Sequence, residues 1–304
     1  SISFSTLHIF CSYYFACLVW KHHKVSSLLA RYLLKASLVF MLLSTIGVWC
    51  LGPAVATLGQ TSAFYQIAIQ FFLHFQFNGW FLIAVLAVFI NQFNITNHHL
   101  FKRFFALLIL ATILTFALPI SWFAFHPILL WLNGLGVVLQ VLSFFYFIKL
   151  LQPHWLSFWA NSSNTIKIIH RFALFCFVLK IGIQTLSLIP EIAELAYLYR
   201  NFVIGFIHLT MLGVISGFLL TFLLQSQLTN KSSKLLVFAM YSFITGFLIT
   251  ELLLFIQGCF YYFGKGMIPN YYLMLFISSI LLPLGILFLI LNILNHDSKT
   301  IKTT

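Results

Sequence analysis

Acidic residues are almost missing from this chain. Only 4 of 304 residues are Asp or Glu, and charged residues of either sign make up 7% of the total. No soluble domain of this length can solvate its exterior with so little charge. Cysteine is sparse as well. The five cysteines show no C-x-x-C spacing and fall mostly in apolar runs, which excludes a disulfide framework or a zinc ribbon. No stretch between the apolar runs is long enough for a soluble domain. The formal charge of +12 does not mark a nucleic-acid binder, because basic residues of a membrane protein gather in cytoplasmic loops and set its orientation.

What remains is hydrophobic: 62% of the residues, with a mean hydropathy of +1.05. Apolar runs of about 20 residues, the length that crosses a bilayer core, recur from end to end. They predict an all-α, polytopic transmembrane bundle in one domain over 1–304. Nine spans are expected, at 1–20, 36–57, 64–90, 103–123, 127–150, 169–189, 199–225, 235–260 and 271–294. All but three of the 16 basic residues then fall in alternate loops and the tail. Lys21, Lys24, Arg31, Lys35, Lys149, Lys167, Arg171, Lys299 and Lys302 are among them. The opposite loops hold Arg200 and Lys265, and Lys180 lies within a span. This alternation places the first residue outside and the C-terminus in the cytoplasm, with a bacterial inner membrane as the expected location. Pro119, Pro127, Pro153, Pro190 and Pro269 are expected at span ends.

Polar residues inside the spans share a level. In the third span Gln66, Gln70, His74 and Asn78 are spaced by four and form one stripe, with His74 about 15 Å below the outer end at 1.5 Å per residue. His208 reaches a similar depth in the seventh span, on one face with Asn201 and Gly205. His8 does so in the first, beside Ser5 and Ser12. The sixth span carries Cys176, Lys180, Gln184 and Ser187, and the eighth carries Glu251. Ionisable groups at such depths face a bundle interior and mark a pathway or a ligand site. Lys180 and Glu251 could instead form a buried pair that fixes packing, and His74 and His208 could be hydrogen-bonded core histidines. As ligands, two imidazoles suit a heme iron and three suit copper or zinc. Gln70 and Asn78 are then candidates for the second ring nitrogen. HFQFNG at 74–79 and HLTMLG at 208–213 echo one another, each a His followed five residues later by Gly. The match is too short to define a repeat.

LHFQFNGWF at 73–81 and YRNFVIGFIHLTMLGVISGFLLTF at 199–222 resemble the histidine-bearing helices of the heme–copper oxidase and nitric oxide reductase subunit I superfamily. They are also similar to the heme- and copper-containing membrane proteins of nitric oxide resistance. The resemblance covers two spans of the nine. It implies heme b held in the outer half of the membrane, with His74 matching the early ligand and His208 the late one, and copper as a further cofactor. The departures matter. The adjacent pairs His22–His23 and His98–His99 lie outside the spans, Thr210 replaces the second histidine of a His-x-His, and Asn78 stands four after His74 in place of tyrosine. The resemblance thus implies a degenerate relative with a single heme or metal, handling electrons, nitric oxide or another small ligand. Two other functions fit the residues. One is a proton-coupled transporter or channel lined by Lys180, Gln184, Glu251 and the histidines. The other is a non-catalytic subunit embraced by other membrane subunits. The lipid bilayer is the expected partner and nucleic acid is not.

Overall fold

In the computed structural model the described residues run from 2 to 301, apart from 24, 26, 94, 227 and 232. The side chains of Ser5 and Lys299, and the whole of Lys24 and Lys302, lie outside the described residues. Among the described residues thirteen α-helices and two π-helical segments make up the regular structure. They are α1 (Ile2–His22), α2 (Leu28–Leu58), α3 (Ala63–His74), α4 (Leu82–Gln92), α5 (His98–Leu114), α6 (Ala117–Ser121) and α7 (Pro127–Asn161), followed by α8 (Asn164–Leu186), α9 (Pro190–Leu198), α10 (Arg200–His208), α11 (Gly217–Gln225), α12 (Lys234–Tyr262) and α13 (Tyr271–Ile301). The π segments, Phe75–Phe81 and Leu209–Ser216, join α3 to α4 and α10 to α11. No strand occurs among the described residues. Among the described residues seven helical stretches are long and apolar enough to cross a membrane, or eight if α8 and α9, bent by 108° at their junction, count as one span. The protein is an all-helical integral membrane protein.

Local chemistry sets the helix starts. Ser27, Ser62, Asn97, Ser163 and Ser233 cap α2, α3, α5, α8 and α12 with side-chain oxygens on early backbone amides. Pro127 and Pro190 occupy first-turn positions, where no amide is needed. Pro153 is different. It lies inside α7, which continues to Asn161 rather than ending there. Arg31, Lys35, Lys149, Lys167 and Arg171 likewise stand within helices instead of loops. Hydropathy marks where hydrocarbon ends, not where a helix ends, and a helix satisfies its own backbone on either side of that boundary.

The chain divides into two compact units, Ser1–Trp155 and Leu156–Thr304. In the first, α2 packs along α3, the π segment and α4, and α1 is tied to α2 by Tyr13, whose hydroxyl is 2.9 Å from Thr45 Oγ1 and accepts from Trp49 Nε1 at 3.0 Å. Ser143 of α7 donates to the Phe104 carbonyl of α5 at 3.3 Å. In the second unit α8 packs on the π segment and α11, and α12 lies along α13. Asn292 of α13 clamps the Asn230 backbone, accepting from its amide at 3.1 Å and donating to its carbonyl at 3.4 Å.

Each unit carries, in order, a long helix (α2 or α8), a π-interrupted helix and two further long helices, with α1 and the short α6 added in the first unit and α9 standing after α8 in the second. His74 and His208 each end the leg before the π segment, and Gly79 and Gly213 lie inside it. Both glycines mark a close approach to the preceding long helix. A Cβ at Gly79 would lie 2.7 Å from Phe40 Cβ, and one at Gly213 would lie 2.8 Å from Cys176 Sγ. The sequence echo is therefore a structural correspondence, which six residues could not establish alone.

The turn after α12 depends on one buried amide. Gln257, fully buried, donates to the Gly266 carbonyl at 3.1 Å and accepts from the Ile268 amide at 2.9 Å. Gln257→Ala is expected to cost about 1–2 kcal/mol, read as a lower melting temperature in detergent. An unchanged melt would mean that solvent replaces both bonds without loss.

Candidate functional site

His74 is 8% exposed, and its Nε2 lies 2.7 Å from the carbonyl oxygen of Thr112. A carbonyl only accepts, so Nε2 carries the proton. The acceptor is available because α5 ends here. The Phe116 amide, which a continuing helix would direct to Thr112, bonds Ile113 instead at 3.3 Å. Phe75 and Phe116 flank the imidazole, with ring centroids 5.2 and 5.5 Å away.

His208 sits differently. Its side chain is 37% exposed, and its Nδ1 faces Glu251 Oε1 of α12 at 3.6 Å. Both of these atoms are buried and neither has a hydrogen-bond partner. At that distance they attract without a direct bond. Among the described residues nothing engages Nε2 of His208. The helix that carries it is loosely covered, with Asn201 to His208 all partly exposed and none buried. A Cβ on Gly205, one turn before His208, would meet only Glu251 Oε2 at 3.5 Å and Leu254 Cβ at 3.9 Å. Asn201, expected on the same face, donates to the Tyr271 hydroxyl at 3.1 Å.

Lys180 is 1% exposed. Its Nζ donates to Gln184 Oε1 at 3.0 Å and lies 5.4 Å from the Phe206 ring centroid. Among the described residues no ion pair joins Lys180 to Glu251; the carboxylate faces His208 instead. Four-residue spacing favours the Lys180–Gln184 bond within one helix.

The remaining sequence candidates are spread out. Gln70 is half-buried on α3. Asn78 falls inside the π segment, where wider turns end the four-residue stripe at His74, and its Oδ1 is buried without a partner. His8 is exposed on α1, while the buried Ser12 donates to the His8 carbonyl at 2.8 Å. The second unit thus brings together His208, Glu251 and Gly205 and, along α8, Lys180 and Gln184. The first brings His74 to Thr112. No group of three or more His, Cys, Asp or Glu with metal-holding geometry occurs among the described residues.

Comparison with protein-family models, curated proteins and solved structures finds no match. Sequence reasoning passed over Thr112, and no signal could have found it, since every residue has a carbonyl and only the local helix end frees this one. His170 was also passed over. It is 1% exposed on α8, its ring centroid 4.5 Å from that of Phe158. Its signal was its place inside the expected 169–189 span, where a histidine is more often buried than in a loop.

Proposed function

We propose that the protein is an integral membrane heme-binding protein, a degenerate relative of the heme–copper oxidases, that handles electrons, nitric oxide or another small ligand. His208 is its ligand through Nε2, with Glu251 orienting the ring from the Nδ1 side. The observation that carries this reading is a carboxyl oxygen 3.6 Å from the inner nitrogen of a partly exposed imidazole; drawn in to hydrogen-bond distance, such a pair would fix the tautomer of a ligating histidine. The loose cover along α10 supports room for a flat group beside it. Heme is favoured over copper. A macrocycle supplies four ligands of its own and asks the protein for one or two, whereas copper needs a cluster that the described residues lack. A bound heme would supply a redox-active iron. The protein's own part is to ligate, to orient the imidazole and to keep the site within apolar surroundings. In this reading the chain has nine spans in a bacterial inner membrane, first residue outside and C-terminus in the cytoplasm, and other membrane subunits are candidate partners. The test is heme content in protein made with ample heme supply. A stoichiometric amount is expected, and its absence removes the reading.

Lys180 favours a second reading, a proton-coupled pathway. A buried ammonium with one amide partner is costly, so its retention suits a role in moving charge. Lys180→Met is expected to keep the fold and to raise stability by on the order of 1 kcal/mol, measured as thermal melting in detergent. Proteoliposome flux lost in the same variant would favour the pathway; a melt that drops sharply would make Lys180 a packing element.

A further inference from the structure

A cavity of about 270 Å³ opens in the second unit between the first turns of α8 and α12. Much of its lining is apolar. Met240 is buried at the floor, Ile168 and Ile244 are half-buried, and Val237 is exposed. Three polar side chains join them, Asn164, Thr165 and Tyr241. Among the described residues none of the three has a side-chain hydrogen bond. Two lysines stand at the same end. Lys234 opens α12, three residues before Val237 and so on its face one turn nearer the helix start. Lys167 lies beside Ile168 and three residues after Asn164 on α8. Neither ammonium has a hydrogen bond or ion pair among the described residues. Arg171, one turn further along α8, is by contrast already engaged, 4.5 Å from the Trp159 ring centroid.

We infer that this cavity binds one anionic phospholipid, independently of the heme reading. Lys167 and Lys234 hold the phosphate, to which Asn164 and Thr165 donate hydrogen bonds. Tyr241, about two turns beyond Lys234, donates to an ester oxygen, and one acyl chain lies over Ile168, Val237, Met240 and Ile244. Basic pockets between the ends of membrane helices recognise lipid headgroups in this way. Charge alone would suit a free phosphate, but that ion would leave the apolar lining unused. Access also favours lipid. Val237 is 39% and Tyr241 53% exposed, so the cavity opens on the outer side of α12, a helix long and apolar enough to cross the bilayer.

Native mass spectrometry of the detergent-purified full chain, offered phosphatidylglycerol and phosphatidylcholine in equal amounts, tests the assignment. Wild type is expected to retain one phosphatidylglycerol in preference to phosphatidylcholine. Lys167→Gln and Lys234→Gln should each weaken that binding about fivefold, and the pair together about thirtyfold. Val237→Trp, which fills the cavity from its open side, should weaken it with both lysines in place. Lys102→Gln combined with Lys149→Gln removes the same charge from exposed positions elsewhere and should bind as wild type. Size-exclusion chromatography checks that each variant is folded; if Val237→Trp is not, the two lysine pairs still decide. Equal retention of both lipids, equal loss in the two lysine pairs, or undiminished binding by a folded Val237→Trp overturns the site. Complete displacement by millimolar inorganic phosphate overturns the lipid assignment, since it would show an anion site that makes no use of the chain.

Discussion

His208→Ala protein should be purified without heme. The substitution removes an imidazole whose Nε2 is unengaged among the described residues. It also strands Glu251, whose Oε1 is buried and faces only the lost ring. An uncompensated carboxylate at such a site costs about 1–3 kcal/mol, the lower part of the range applying because the Glu251 side chain is 21% exposed. His208→Ala should therefore also melt at a lower temperature. Combining it with Glu251→Gln should restore part of the melting temperature and none of the heme, which separates ligation from charge burial. If His208→Ala protein kept full heme content, the ligand assignment would fail.

Gly213→Leu should abolish the folded second unit. Gly213 lies in the π segment between α10 and α11, and even a single Cβ there would lie 2.8 Å from Cys176 Sγ and 3.0 Å from Phe247 Cζ. Those contacts come from α8 and α12 together, so the neighbours have no common direction in which to retreat. Overpacking costs about 1–3 kcal/mol for an extra methylene or two, and leucine adds more than that. The expected readout is loss of the monodisperse peak in detergent size-exclusion chromatography. Gly182→Ala is the control. A Cβ at Gly182 meets nothing within 4 Å, so that variant should elute as wild type. Equal behaviour of the two would show that the close approach at Gly213 carries no load.

How much of this was legible in the sequence depends on the kind of signal. The all-helical membrane architecture was, because bilayer thickness imposes a run length that composition reveals directly. Helix ends were less so: α2 begins at Leu28 and α7 ends at Asn161, past the apolar runs, since the backbone has no reason to stop where hydrocarbon does. The placement of His74 and His208 inside long apolar helices was legible from span position. Their different partners were not, because the difference lies in a carbonyl freed by the end of α5 and in the approach of Glu251 to His208 rather than Lys180. The π segments escaped as well. Neither FQFNGWF nor LTMLGVIS carries a composition that tells π from α, and only the shared His-to-Gly interval hinted that the two places correspond.

The most direct test of the central claim is the absorption spectrum of wild-type protein purified in detergent after expression with ample heme, recorded oxidised and then reduced with dithionite. The account predicts a Soret band that shifts on reduction and a visible α band in the reduced state. A flat spectrum above the protein absorbance in both states would contradict it, and would leave Lys180 and the His208–Glu251 couple to be explained as a charge pathway.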